Sequence, residues 1–140
     1  MTKKEDLIRG LNEDLAAELG TVLRYTYQAG KSFGLAGAGL RRMFQEESQD
    51  ELGHARFLTD AIVDLGGEPT TTPKEFRKPE GLRAMLELDL EMEAKDVENY
   101  VAHARLAEEP GQVELKLKLE EMAADEAGHA RQIRRLLKGL

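Results

Sequence analysis

The sequence predicts an all-α protein: a four-helix bundle made of two antiparallel helical hairpins joined by one long crossover. Three observations predict it. Apolar residues recur with helical period along four long segments, and glycine- or proline-rich breaks separate those segments. The second half of the chain also repeats the first: Asp50-Glu51-Leu52-Gly53-His54-Ala55-Arg56 returns 75 residues later as Asp125-Glu126-Ala127-Gly128-His129-Ala130-Arg131. Sliding residues 1–65 over 76–140 without a gap puts Glu18 on Glu93 and Tyr25 on Tyr100. The expectation is an internal pseudo-two-fold repeat within a single domain, residues 1–140.

The first helix is expected over residues 3–31, with Leu7, Leu11, Leu15, Val22 and Tyr25 on one stripe. The glycine-dense run Gly34-Leu35-Ala36-Gly37-Ala38-Gly39 reads as the turn that ends it. A second helix is expected over 40–65, stopping at Gly66-Gly67. The third begins near Pro79, since proline suits a first helical turn, and carries Leu82, Leu86, Leu90, Val97 and Tyr100. Pro110-Gly111 breaks it, and the fourth runs over 112–138. The crossover, residues 67–80, holds three prolines and three threonines without helical period. A helix of about 28 residues is roughly 42 Å long, and fourteen extended residues reach about 46 Å. The crossover can therefore run the length of the bundle.

Composition narrows the function. Charged residues make up 34% of the 140, and the net charge of −7 offers no basic stripe for nucleic acid. The absence of cysteine excludes a disulfide framework, an iron–sulfur cluster and an iron site built from four cysteine thiolates. Neither a signal peptide nor an apolar run of membrane-spanning length is visible, so a soluble cytoplasmic protein without membrane partners is the expectation.

The repeated residues point to metal. Positions i and i+3 share one helix face, so Glu51 with His54, and Glu126 with His129, each aim two ligands in one direction. Each unit follows a lone glutamate, Glu18 or Glu93, by the same 33 residues. Four carboxylates and two imidazoles, mostly hard oxygen donors, suit iron or manganese better than copper or structural zinc. Their four negative charges balance two divalent cations. One isolated Glu-x-x-His is ordinarily a solvated surface pair; two copies in register, each with its upstream glutamate, argue against that.

Other residues carry weaker signals. Tyr25 and Tyr100 read as core packing, with a hydroxyl bonded to a ligand carboxylate as the alternative. Asp50 and Asp125 are placed to accept the free ring N–H of a ligand histidine from the opposite half. Glu47 lies one turn before Glu51, opposite Met122 in the repeat, and is a candidate extra ligand. His103, opposite Gln28, reads as a surface residue. Phe33, Phe44, Phe57 and Phe76 read as core. Glycine beside each histidine, Gly53 and Gly128, suggests a crowded helix–helix contact, because mid-helix glycine costs about 1 kcal/mol relative to alanine.

With these motifs the chain resembles the bacterioferritin and rubrerythrin branches of the ferritin-like superfamily, from about residue 7 to 137. The resemblance implies two iron ions, or manganese or a mixed manganese–iron pair. It makes Glu18 and Glu93 terminal ligands, Glu51 and Glu126 catalytic bridges, and His54 and His129 nitrogen caps. It also implies Fe(II), with dioxygen or hydrogen peroxide, as the reactants. Where bacterioferritins carry a haem-ligating methionine this chain has Leu52, so no haem is expected. Their short fifth helix, which lines a channel of a 24-subunit shell, has no counterpart, so a homodimer is expected instead. Rubrerythrins carry a third-helix glutamate where this chain has Asp96, a candidate seventh ligand. The leading expectation is a ferroxidase-type di-iron protein. Its rivals are a rubrerythrin-like peroxidase without a rubredoxin domain and a non-catalytic metal-binding or partner-docking bundle.

Overall fold

The computed structural model describes residues 2–108 and 111–140. Its elements are α1 (Lys3–Gly30), α2 (Gly34–Asp64), α3 (Leu82–Glu108) and α4 (Val113–Lys138), with no strand among the described residues. Thr2 and Glu5 start α1 as a reciprocal cap, each side chain bonding the other's backbone N–H at 3.1–3.2 Å. Helices α1 and α2 pack as one hairpin and α3 and α4 as the other, and α1 against α3 joins them.

Helix α2 begins six residues earlier than the sequence suggests, so the run from Gly34 to Gly39 is its first turns, not a loop. Tertiary contact overrides propensity there. A Cβ on Gly37 would stand 2.7 Å from the backbone of Ser32, so the chain reverses tightly against a bare helix face. Pro110, read as part of the break before the fourth helix, lies outside the described residues; Gly111 follows with φ +74°, the left-handed conformation glycine tolerates.

Two apolar clusters fill the bundle ends. One gathers Leu7, Leu11, Leu15, Leu58, Tyr100, Leu115 and Leu119. The other gathers Tyr25, Ala29, Leu40, Phe44, Leu86 and Ile133. The 75-residue shift exchanges them: Leu11 maps to Leu86, Leu40 to Leu115, Phe44 to Leu119, Leu58 to Ile133 and Tyr25 to Tyr100. Between them remains a polar layer. Of the four phenylalanines, only Phe44 is a buried core residue; Phe57 and Phe76 are half-buried and Phe33 is 74% exposed. Phe33 precedes α2 as its N-cap residue, outside the helical stripe that faces the core.

The crossover is tied to α1. Asn12 bonds Glu68 O and Thr70 N, and Lys74 N donates to Ala16 O at 2.9 Å. A Cβ on Gly20 would lie 2.4 Å from Lys74 O, a backbone atom with no room to yield. Gly20→Ala should therefore lower the thermal midpoint and speed proteolysis within residues 67–80. Overpacking of about 1–3 kcal/mol outweighs the roughly 1 kcal/mol alanine adds to a helix. Gly39→Ala, where nothing lies within 4 Å, should not lower it. Equal melting of both variants would contradict the packing assigned to Gly20.

Candidate metal centre

Glu18 on α1, Glu51 on α2, Glu93 on α3 and Glu126 on α4 all point into the polar layer, each 0% exposed. Every helix contributes one of them near its midpoint. His54 follows Glu51, and His129 follows Glu126, by one turn. The structure thus brings together all six residues singled out by the repeat.

The imidazoles define two poles. His54 Nδ1 lies 3.4 Å from Glu18, 3.8 Å from Glu51 and 3.3 Å from Glu126. His129 Nδ1 lies 3.5 Å from Glu51, 3.8 Å from Glu93 and 3.7 Å from Glu126. Glu51 and Glu126 thus face both imidazoles, whereas Glu18 approaches His54 and Glu93 approaches His129. Donor atoms of Glu18, Glu51, His54 and Glu126 all lie within 4.8 Å of one another, and so do those of Glu47, Glu51, Glu93 and His129. A third such group is Glu93, Asp96 and Glu126. Glu47 is therefore in the layer, 2.9 Å from His129 Nδ1, and Asp96 borders it.

The outer ring nitrogens cross between halves as the sequence suggests. His54 Nε2 is 3.2 Å from Asp125, and His129 Nε2 is 3.8 Å from Asp50, a looser approach. Tyr25 is buried and also donates its hydroxyl to Glu93 at 2.6 Å. Tyr100 packs edge-on to His54. Gly53 and Gly128, expected at a crowded helix contact, have nothing within 4 Å of a built Cβ; Gly53 faces outward and is exposed.

Electrostatics show what the layer lacks. Burial lifts Glu18 and Asp96 to about 8, with neighbouring carboxylates reinforcing the rise. Glu51 and Glu126 are pushed well above their usual range for the same reason. Burial would also lift Glu93, but the close approach of Glu126 and His129 and the hydrogen bond from Tyr25 overcome it and hold Glu93 below its ordinary value. Burial pulls His129 down, yet Glu47 and Glu93 raise it to about 11. Among the described residues, both oxygens of Glu18, Glu51 and Glu126, and Nδ1 of both histidines, have no hydrogen-bond partner. Buried polar atoms seldom go unpaired. So many converging at one point fit a pair of cations held by oxygen donors with one nitrogen each.

Sequence reasoning missed two flanking pairs. His103, expected at the surface, is buried, and its Nδ1 lies 2.6 Å from the buried carboxylate of Asp14. Arg24 Nε donates to Asp89 at 2.8 Å, also buried. Asp14 and Asp89 coincide under the 75-residue shift, each one turn before a lone glutamate; that register was the available signal.

Residues 8–140 match the family model of the ferritin-like domain. The chain is 30% identical over 132 residues to a bacterioferritin of Brucella melitensis, spanning 92% of this chain and 81% of that protein. A crystal structure described as a ferritin-like, diiron-carboxylate protein from Bacillus anthracis superposes with TM-score 0.95 at 37% identity, covering 98% of this chain and 99% of that one. Rhodobacter capsulatus bacterioferritin, described with a metal-free dinuclear site and a haem iron, gives 0.87 at 28% identity over 96% of this chain and 84% of that one.

The proton-loaded layer has a consequence for stability. Glu18 and Asp96 hold protons to about pH 8 when folded but only to 4.5 and 3.8 when unfolded. The stabilisation this gives is complete below the unfolded values and is lost as pH rises through about 8. The metal-free protein should therefore melt at a lower temperature at pH 8 than at pH 5.5, and a bound divalent cation should reduce the difference. A melting temperature that climbs over that interval would contradict these assignments.

Proposed function

The chain belongs to the ferritin-like domain family, and from that footing we propose that it is a ferroxidase-type iron-handling protein. It would bind two iron ions at Glu18, Glu51, His54, Glu93, Glu126 and His129 and oxidise Fe(II) with dioxygen or hydrogen peroxide. The observation that carries this reading is the shared pair of glutamates. Glu51 and Glu126 each lie 3.3–3.8 Å from both inward-facing imidazole nitrogens, which suits two neighbouring cations and not one.

Iron held by Glu18, Glu51, His54, Glu93, Glu126 and His129 would supply the redox chemistry. The chain's own side chains supply geometry and charge. Glu51 and Glu126 would bridge the two positions; Glu18 and Glu93 would close the outer sides. Asp125 beside His54 Nε2, and Asp50 beside His129, orient the rings so that Nδ1 faces inward. The Tyr25 hydroxyl fixes Glu93 through its 2.6 Å hydrogen bond. Four carboxylates balance two divalent ions. Glu47 and Asp96, both near the layer, bring the total to six, which balances two ferric ions. A centre with six acids thus favours the oxidised pair electrostatically.

Asp96 also supports a second reading. Its carboxylate groups with Glu93 and Glu126, where the rubrerythrin resemblance implies an additional acid ligand and peroxide as the preferred oxidant. Leu52 in place of a methionine argues against haem bound at that residue.

Anaerobic Fe(II) titration of the metal-free protein, followed by dioxygen or peroxide, tests these readings. Two irons per chain and a saturable fast rise in ferric absorbance are expected. Glu51→Ala and Glu126→Ala should each abolish the fast phase; full activity in both would overturn the bridging roles. A fast phase with peroxide but not dioxygen, without mineral, would favour the peroxidase. Tight binding without oxidant consumption would leave a metal-binding bundle.

A further inference from the structure

The chain has three histidines, and each stands between carboxylates on both ring nitrogens. In the centre, His54 sets Nε2 on Asp125 and turns Nδ1 toward glutamates 3.3–3.8 Å away. His103 repeats that arrangement outside the centre with the nitrogens exchanged. Its Nδ1 lies 2.6 Å from Asp14, and its Nε2 lies 3.9 Å from Glu13. Asp14 is 3% exposed and the ring 8%, whereas the Glu13 side chain is 66% exposed. One flank is built into the bundle and the other opens to water. The ring stands ten residues beyond Glu93, about 15 Å along α3.

The imidazole is held in one orientation. A carboxylate accepts hydrogen bonds, so Nδ1 carries the proton facing Asp14 and the lone pair of the neutral ring falls on Nε2. A buried acid orients a metal-binding histidine in the same way. Helix α1 is bare beneath the ring: a Cβ on Gly10 would stand 2.7 Å from Cδ2 and 2.9 Å from Nε2. The 3.9 Å between Nε2 and Glu13 is too long for a hydrogen bond. Two ligands each about 2.1 Å from a tetrahedral ion stand about 3.4 Å apart, so a small swing of the exposed Glu13 closes the gap around a cation. Charge agrees with this. The ion pairs recorded for Asp14 and Glu13 both go to this ring, and a neutral imidazole leaves their two charges for one divalent ion. In the other half, Arg24 neutralises the equivalent Asp89 at 2.8 Å, and Gln28 stands in the place of His103. That half is closed to a cation.

We propose that His103 Nε2 and Glu13 form an outer site for a divalent transition cation of the Fe(II) or Zn(II) class, with Asp14 as the positioning residue. Water completes the coordination, since two protein ligands leave positions open. The imidazole nitrogen selects such ions over magnesium or calcium, which take oxygen ligands. The site stands on its own residues, and its occupancy does not depend on the two-cation reading of the buried layer.

The test titrates metal-free, full-length protein with Zn(II), a redox-silent probe, and follows the ring signals of the three histidines by NMR. His103→Gln assigns the outer set by removing it. The His103 signals should shift at Zn(II) levels above those that saturate His54 and His129, because fewer ligands hold the outer ion. Mg(II) should leave them in place. Glu13→Gln, at an exposed position, should melt as the wild type does and load the buried layer unchanged, yet lose the His103 shift. Asp14→Asn should mix the two ring tautomers, read from the ring-nitrogen shifts, and weaken Zn(II) binding at His103 about ten- to a hundredfold. His103 signals unmoved by Zn(II), an equal shift with Mg(II), or an undiminished shift in Glu13→Gln would each overturn the outer site. A His103 shift with His54 and His129 unmoved would instead sink the two-cation reading and leave the outer site standing.

Discussion

Everything in this bundle is arranged around negative charge that the protein buries without neutralising it. Glu18, Glu51, Glu93 and Glu126 are removed from water, and the desolvation of even one lone carboxylate costs several kcal/mol. A stable fold can keep such a layer only by filling it with protons or with cations. Of the neighbouring bases, His129 meets Glu47 and Glu93, and Arg24 is committed to Asp89. The two apolar clusters above and below then act as insulation. Packed leucines and aromatics exclude water that would otherwise hydrate the acids, and so make occupancy by something else necessary.

Duplication makes such a site easy to specify. One hairpin carries a lone glutamate and a Glu-x-x-His pair; placing a second copy opposite yields both shared glutamates, both inward-facing imidazoles and both crossed His–Asp contacts at once. The exchange of Leu11 with Leu86, Leu58 with Ile133 and Tyr25 with Tyr100 between the end clusters reflects the same economy. A single helix period and one repeat length fix the polar layer and its apolar lids together.

That redundancy explains how much of the site was legible in the sequence. All six converging residues occur at equivalent places in the repeat, so each supported the other's assignment, and the crossed Asp50 and Asp125 contacts followed. Asp14 and Asp89 keep the repeat register, but the partner His103 breaks it. His103 looked peripheral because its counterpart is Gln28; nothing in periodicity says that a histidine will be pulled onto Gly10 by a buried aspartate. Glycine propensity alone places the start of α2 too late, because it does not contain the close approach of the Ser32 turn to Gly37. Phe33 was assigned to the core on hydrophobicity alone, although it precedes the first turn of α2 and its side chain has no helical face to follow.

The departures from symmetry also make the two poles chemically unequal. Glu47 replaces Met122, and Asp96 replaces Thr21, when the halves are compared. Both added acids fall toward Glu93 and His129: Glu47 contacts His129 directly, and Asp96 groups with Glu93 and Glu126. Three carboxylates, Glu18, Glu51 and Glu126, face the inward nitrogen of His54, whereas four, Glu47, Glu51, Glu93 and Glu126, face that of His129, with Asp96 beside Glu93 and Glu126. Charge density sets the free energy of holding a hard cation, so under the proposed two-cation reading the second pole would hold its cation more strongly. The two equivalent positions of the repeat thus differ in electrostatic character. Two differing residues suffice for this, because Glu47 and Asp96 both lie in a layer that the rest of the fold desolvates.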